Sequence, residues 1–264
     1  MTSIALSKND VNVLEKIKDP ESNPSCAAFI DPELARDPHI IDQGLYERLV
    51  QMERDILLSA QQVEMEIAEL RPKSDKAPEM EYRACVESLD NMIEEFPQYA
   101  SARNNRVQAM RRLYGDKILV PGKESPRNAL LQNIDDVECT QAVTKILGDL
   151  DEAIRLLSPT TPFAGISPQQ AKTLSKLHTQ RAAVYHETSK ATQEGLLRVG
   201  LERKESGWSR LQFEEAASRD FALGGKYGCD IAKGLAVSTN PTAKLCGQMV
   251  REAMKKEYGP GYGM

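Results

Sequence analysis

The sequence predicts an all-α protein built from successive helix pairs, and three observations carry that prediction. Apolar residues recur at three- and four-residue steps along most of the chain, the period of an amphipathic helix. The apolar–polar alternation of a half-buried strand is scarce. Gly and Pro fall between the periodic stretches, where they end helices or start them.

The elements follow in order. "LYERLVQMERDILLSAQQVEMEIAEL" (45–70) has the helical period and contains no Gly or Pro. "APEMEYRACVESLDNMIEEFP" (77–97) places Cys85, Leu89, Met92, Ile93 and Phe96 on one side and stops at Pro97. "SARNNRVQAMRRLYGD" (101–116) is the next helix, from about Tyr99 to Tyr114, with Gly115 as a left-handed cap. "DDVECTQAVTKILGDLDEAIRLLSP" (135–159) follows, then "SPQQAKTLSKLHTQRAAVYHETSK" (167–190), with Ser167 as N-cap and Pro168 in the first turn. "LQFEEAASRDFALGGKYG" (211–228) ends in Gly225 and Gly228. "NPTAKLCGQMVREAMKKEYG" (240–259) opens on Asn240 as cap and Pro241 as first helical residue. Its Leu245, Cys246, Met249, Val250, Ala253 and Met254 form one apolar stripe.

Three segments are not expected to be regular helix. Residues 19–43 are Pro-rich and read as extended or loop; 115–134 hold two Pro and two Gly; 191–210 are of mixed, partly helical pattern. The last two are insertions in a helical scaffold. The expected organisation is therefore 1–43, a short helix and Pro-rich extended segment, and 44–259, one helical domain. Within it lie pairs at about 45–97, 98–159 and 167–228 and closing helices over 229–259.

Composition excludes several classes of function. The chain has 264 residues, enough to bury a sizeable core. Aromatics make up only 5%, with one Trp, which provides no base-stacking platform. The formal charge of −5 disfavours nucleic acid as main partner. No apolar run reaches the roughly 20 residues that span a bilayer, and the N-terminus lacks the pattern of a secretory signal. A cytoplasmic or nuclear location is expected. The five Cys are odd in number, widely spaced and without C-x-x-C, so neither a disulfide framework nor a zinc site fits. Cys85 and Cys246 lie among apolar residues and are expected to be buried.

The helix pairs repeat. Superposing 102–116 on 177–190 places Arg106 on Arg181, Val107 on Ala182, Ala109 on Val184 and Met110 on Tyr185. A weaker copy at 60–70 puts Gln62 and Met65 at the last small and large positions. In the second helices, Cys85, Leu89, Met92 and then Pro97 match Ile146, Leu150, Ala153 and then Pro159, with Ala217, Phe221 and Gly224 completing the set. This pattern resembles the tetratricopeptide repeat: small residues where paired helices touch, large ones between them, Pro just after the second helix. Met65, Met110 and Tyr185 are 45 and 75 residues apart, against a repeat of about 34. The excess agrees with the insertions, so the expected fold is a degenerate α-solenoid of about three pairs.

Four stretches, in order, resemble the tetratricopeptide repeat protein 36 family: "NDVNVLEKIKDPESNP" (9–24), "SARNNRVQAMRRLYGD", "ASRDFALGGKYG" (217–228) and "NPTAKLCGQMV" (240–250). The last is the most specific. The longer insertions mark the chain as a divergent, fungal-type member. The resemblance implies a non-enzymatic cytosolic adaptor, co-chaperone-like, associated with heat-shock chaperones and with tyrosine catabolism, and requiring no cofactor.

First helices of stacked pairs line a concave face where extended peptides lie. Asn offers a donor and an acceptor without charge, so Asn104 and Asn105 suit a peptide-lining role, or alternatively bridge to a neighbouring pair. Gln108 and Arg111 extend that strip. In related repeats that clamp a C-terminal carboxylate, Asn105 and Lys176 fall on clamp positions. There Gln180 replaces an Arg, and Ser59 and Val63 replace a Lys and an Asn, which leaves the clamp incomplete. Arg106 and Arg181 are expected to pack between helices with solvated head groups. His178 and His186 are two turns apart, too far to share a metal, and His186 with Glu187 reads as a solvated surface pair. Trp208 and Phe213 read as packing. No phosphate-loop, nucleophile-elbow or H-E-x-x-H motif occurs. The reading is thus a groove offered to a peptide or protein. The alternatives are a scaffold self-associating through 241–256 and, least favoured, an enzyme assembled from His178, His186 and the Cys.

Overall fold

Proline and capping residues cut the chain where the sequence indicates. A computed structural model describes residues 28–121, 129–132, 134–161, 164–191 and 197–258; the 9–24 stretch and Cys26 lie outside them. The helices are α1 (Gln43–Ile67), α2 (Pro78–Glu95), α3 (Ala100–Tyr114), α4 (Asp136–Leu157), α5 (Pro168–Ala191), α6 (Arg210–Lys226), α7 (Asp230–Thr239) and α8 (Pro241–Tyr258). The chain is all-α: among the described residues the strand-like pairing is a single parallel bridge between Ile30 and Ile166.

The caps explain the boundaries. The Asp42 carboxylate accepts from the Leu45 N–H at the start of α1. Ser167 and Gln170 exchange side-chain and backbone bonds at α5 (3.1 and 3.4 Å), and Ser209 with Gln212 does the same at α6. Asn240 accepts from Thr242 and Ala243 ahead of Pro241. Gly115 closes α3 at φ 79°, ψ 166°, a positive-φ turn but not the left-handed helical cap expected. Of 191–210, Lys204–Gly207 forms a 3-10 turn.

Each helix packs on the next from α1 to α8; α3 also touches α5, and α6 touches α8. The small and apolar positions singled out by the repeat in α2 to α6 are buried: Cys85, Leu89 and Met92 on α2; Val107 and Met110 on α3; Ile146, Leu150 and Ala153 on α4; Ala182 and Tyr185 on α5; Ala217, Phe221 and Gly224 on α6. At α1 the alignment needs correction. Its buried face is Tyr46, Leu49, Glu53, Ala60 and Val63, so Gln62, about 100° round the helix from Val63, is exposed. Cys246 and the α8 stripe are also corrected. Cys246 is exposed, as are Leu245, Met249 and Val250, and α8 buries no residue. The helix touches the body through α6 and α7, and Lys244 pairs with Glu214 of α6.

Two arginines each bridge three helices, and their heads are not solvated as expected. Arg106 of α3 grips Asp149 of α4 through Nε and Nη2, both at 2.6 Å, and reaches Asp90 of α2 through Nη1. Arg181 of α5 grips Asp220 of α6 at 2.7 and 2.8 Å and reaches Asp151 of α4 at 2.9 Å. The positions repeat: Asp149 precedes Leu150 as Asp220 precedes Phe221, and Asp90 follows Leu89 as Asp151 follows Leu150. Each arginine thus ties its own second helix to the preceding one. Burial pushes the Asp220 carboxyl up, but Arg181 and His178 outweigh it and hold it below its ordinary value.

The described residues of the insertions pack on each other and on the core. The Arg198 N–H donates to the Leu119 carbonyl (2.8 Å) and its guanidinium to Asp136 (2.6 Å), and Ile118, Leu119 and Val199 are buried. Trp208 and Phe213 pack with Tyr185, ring centres 5.2 to 5.8 Å apart. The Tyr185 hydroxyl donates to Glu205. Residues 28–42 form a strap: the Asp31 N–H donates to the Ile166 carbonyl, the Ile166 N–H to that of Phe29, and the Ser167 hydroxyl to that of Arg36.

Asp149→Ala strands part of a buried guanidinium and is expected to cost about 3–5 kcal/mol in urea unfolding, with Asp220→Ala costing a similar amount. Because the folded pKa of Asp220 is depressed, its stabilisation is present above about pH 4 and fades as pH falls through that range. The stability gap between the wild type and Asp220→Asn should therefore narrow below pH 4. A Cβ on Gly225 would lie 2.9 Å from the Lys233 backbone, whereas one on Gly234 meets nothing within 4 Å. Gly225→Ala should destabilise by about 1–3 kcal/mol, while Gly234→Ala should stabilise by about 0.5–1 kcal/mol; thermal unfolding reads both.

Candidate functional site

The first helices of the pairs, α1, α3 and α5, line a groove of about 1440 Å³ that continues past the loop after α3 to Phe221, Cys229 and Leu235. Asn105, Gln108, Arg111, Lys176 and Gln180 line it. Asn104 does not: it lies beneath, 2% exposed.

The two asparagines belong to a hydrogen-bonded ladder across three helices. Asn105 donates to Glu53 of α1 (2.7 Å), Asn104 donates to the Asn105 side-chain oxygen (3.1 Å), and Gln180 of α5 donates to that of Asn104 (2.8 Å). Arg111 donates to the Gln180 oxygen (3.2 Å). Each amide supplies one donor and one acceptor, which a run of uncharged side chains can do without end groups of their own. The ladder ends in charge: Glu53 at one side, Arg111 at the other. Glu53 also accepts from Tyr99 and Ser101, both at 3.0 Å. Burial, ahead of these hydrogen bonds and the charge of Lys176, raises its pKa. The bridging alternative for the amides is therefore the geometry present, and their capacity for a peptide is largely used within the protein.

The clamp positions other than Lys176 are likewise turned inward. Val63 is buried, the Ser59 hydroxyl donates to the Ile56 carbonyl (2.9 Å), and the Gln180 amide is spent on Asn104. Gln108 and Lys176 are exposed at the groove surface. Arg112 pairs with Glu64 (2.7 Å), to which Tyr82 also donates (2.7 Å), tying α1, α2 and α3.

Sequence reasoning passed over Glu53, Asp116 and Lys117. Glu53 has a legible signal: a carboxylate one turn from Leu49 on an otherwise apolar face. Asp116 accepts from Arg111 at 2.6 and 3.0 Å, and Lys117 lies beside it on the groove; both belong to a loop without periodicity.

The histidines are separated. His178 is buried in the α5–α6 contact, with Nδ1 2.9 Å from Asp220 and its ring stacked on Tyr227, and it does not line the groove. His186 is not the solvated partner of Glu187. It is partly buried, edge-on to Phe221 at 6.3 Å, while Glu187 pairs with Lys190 (2.8 Å). Burial, with Lys190 nearby, holds the His186 pKa below its ordinary value. No cluster of three or more His, Cys, Asp or Glu among the described residues could hold a metal. No described helix is long and apolar enough to cross a membrane.

No family model matches the chain, and no solved structure matches it. Over 257 residues it is 35% identical to the L-tyrosine degradation gene cluster protein hmgX of Aspergillus fumigatus, a match covering 96% of this chain and 93% of that protein. With that identity along almost its whole length, the chain belongs to the family of the hmgX protein.

Proposed function

We propose that this protein is a non-enzymatic, co-chaperone-like adaptor that presents the α1–α3–α5 groove to an extended segment of a partner protein. In this reading α1/α2, α3/α4 and α5/α6 are degenerate tetratricopeptide-type pairs, with α7 and α8 closing the array. The observation that carries it is the groove: first helices side by side, bridged by one ladder of amides, with Gln108 and Lys176 at its surface. Such a surface offers backbone-pairing groups and a cation to a chain that lies along it.

The name of the hmgX relative supports a link to tyrosine degradation; in this reading the protein serves other proteins of that process in the cytoplasm. The resemblance to the tetratricopeptide repeat protein 36 family supports the same link and adds heat-shock chaperones as candidate partners. A second reading, self-association, has its own observation: the exposed Leu245, Met249 and Val250 of α8. Light scattering over a wide concentration range decides it, and a monomer throughout removes it.

Proximity labelling in the native cell gives the partners of the wild type. Lys176→Glu combined with Gln108→Ala touches two exposed side chains, so the melting temperature should hold. Recovery of groove partners should fall by about tenfold or more, the loss of a charge-assisted contact and its neighbour. An unchanged set of partners at unchanged abundance would remove the groove from the function.

A further inference from the structure

Resting on the adaptor reading, we propose that the groove takes an acidic extended segment of its partner, and that Asp116 is a built-in competitor that occupies Arg111 until the segment displaces it. The groove's charge balance selects the occupant. Its carboxylates are already committed: Glu64 to Arg112, Glu187 to Lys190 and Asp116 to Arg111. Lys117 and Lys176 line the same surface, exposed, with no carboxylate in ion-pair distance among the described residues. Lys176 acts on Glu53 only at longer range. A chain of net charge −5 thus presents, among its described residues, two ammonium groups in this groove without an ion-pair partner, which complements carboxylates.

Arg111 is the site built between them. Its Nη1 is fixed by the Gln180 oxygen (3.2 Å), while Nε and Nη2 present the flat two-donor edge that matches a carboxylate. Asp116 fills that edge at 2.6 and 3.0 Å. It gets there because Gly115, at φ 79°, turns the chain back at the end of α3, a conformation other residues seldom adopt. The pair is open to solvent, with side-chain exposures of 19% and 37%, and a solvated pair of this kind is weak enough to exchange. An incoming Asp or Glu would replace Asp116 like for like, with its neighbours meeting Lys117 and Lys176. Asp116 therefore sets a threshold: a segment with several carboxylates exchanges with it, and an isolated one gains little.

Fluorescence anisotropy with a labelled deca-glutamate peptide and the full chain tests this. Asp116→Asn should tighten binding about two- to fivefold, the removal of one competing exposed pair. Lys117→Glu, at an exposed residue, should weaken it by about tenfold, and a Gly-Ser decapeptide should not bind. Unchanged or weaker binding by Asp116→Asn overturns the competitor. Equal binding of the Gly-Ser peptide, or tighter binding of a single-stranded oligonucleotide, overturns the acidic segment. If deca-glutamate fails to bind while the Lys176→Glu, Gln108→Ala variant still loses its partner, this inference falls and the adaptor reading stands.

Discussion

Two largely desolvated guanidinium groups set how α2 to α6 sit against one another, and the groove depends on that arrangement. Arg106 and Arg181 each hold a carboxylate of their own second helix by two bonds and one of the preceding second helix by a third. A bidentate contact fixes orientation as well as distance, so using the same three positions twice builds the same junction twice. With α4 and α6 held this way, α3 and α5 are in contact. Burying such charges gains little net stability, since desolvation offsets much of the attraction. What it supplies here is a specific geometry, because any slip of a helix strands a charge.

The first pair is attached differently. The link from α1 to α3 runs through Glu53, with three donors from Tyr99, Ser101 and Asn105, and through Glu64 with Arg112. Of these residues, Asn105, Glu64 and Arg112 also line the groove. Structure and surface are therefore made of the same groups, and the polar ladder that joins α1, α3 and α5 is also what a bound segment would lie upon. At the other end α6 approaches its neighbours closely through Gly224 and Gly225, where a Cβ would meet Thr179 and Lys233. The interface there depends on the absence of side chains.

Helix content, helix limits and the buried positions of α2 to α6 were legible in the sequence, because burial of one helical face imposes a period that survives degeneracy. Leu89, Leu150 and Phe221 could be matched without coordinates for that reason. The ion-pair junction was half legible. The recurrence of Arg106 and Arg181 is visible, but their partners lie 16 to 43 residues away, and nothing local distinguishes a buried guanidinium from a solvated one. Asn104 and Asn105 were legible as unusual and not in what they bond, since both a peptide and a neighbouring helix satisfy an amide. Lys117 and Asp116 were invisible, being placed by a turn and not by a period. The stripe of α8 misled because amphipathic spacing predicts a face that packs, without saying that the partner is in the same chain.

The claim on which the function rests is that partners enter along α1, α3 and α5. A photo-crosslinking amino acid placed at Gln108, in the groove, and separately at Thr144, exposed on α4, tests it in the native cell. The account predicts discrete partner adducts from position 108 and none from 144. Adducts from 144 with none from 108 would contradict it.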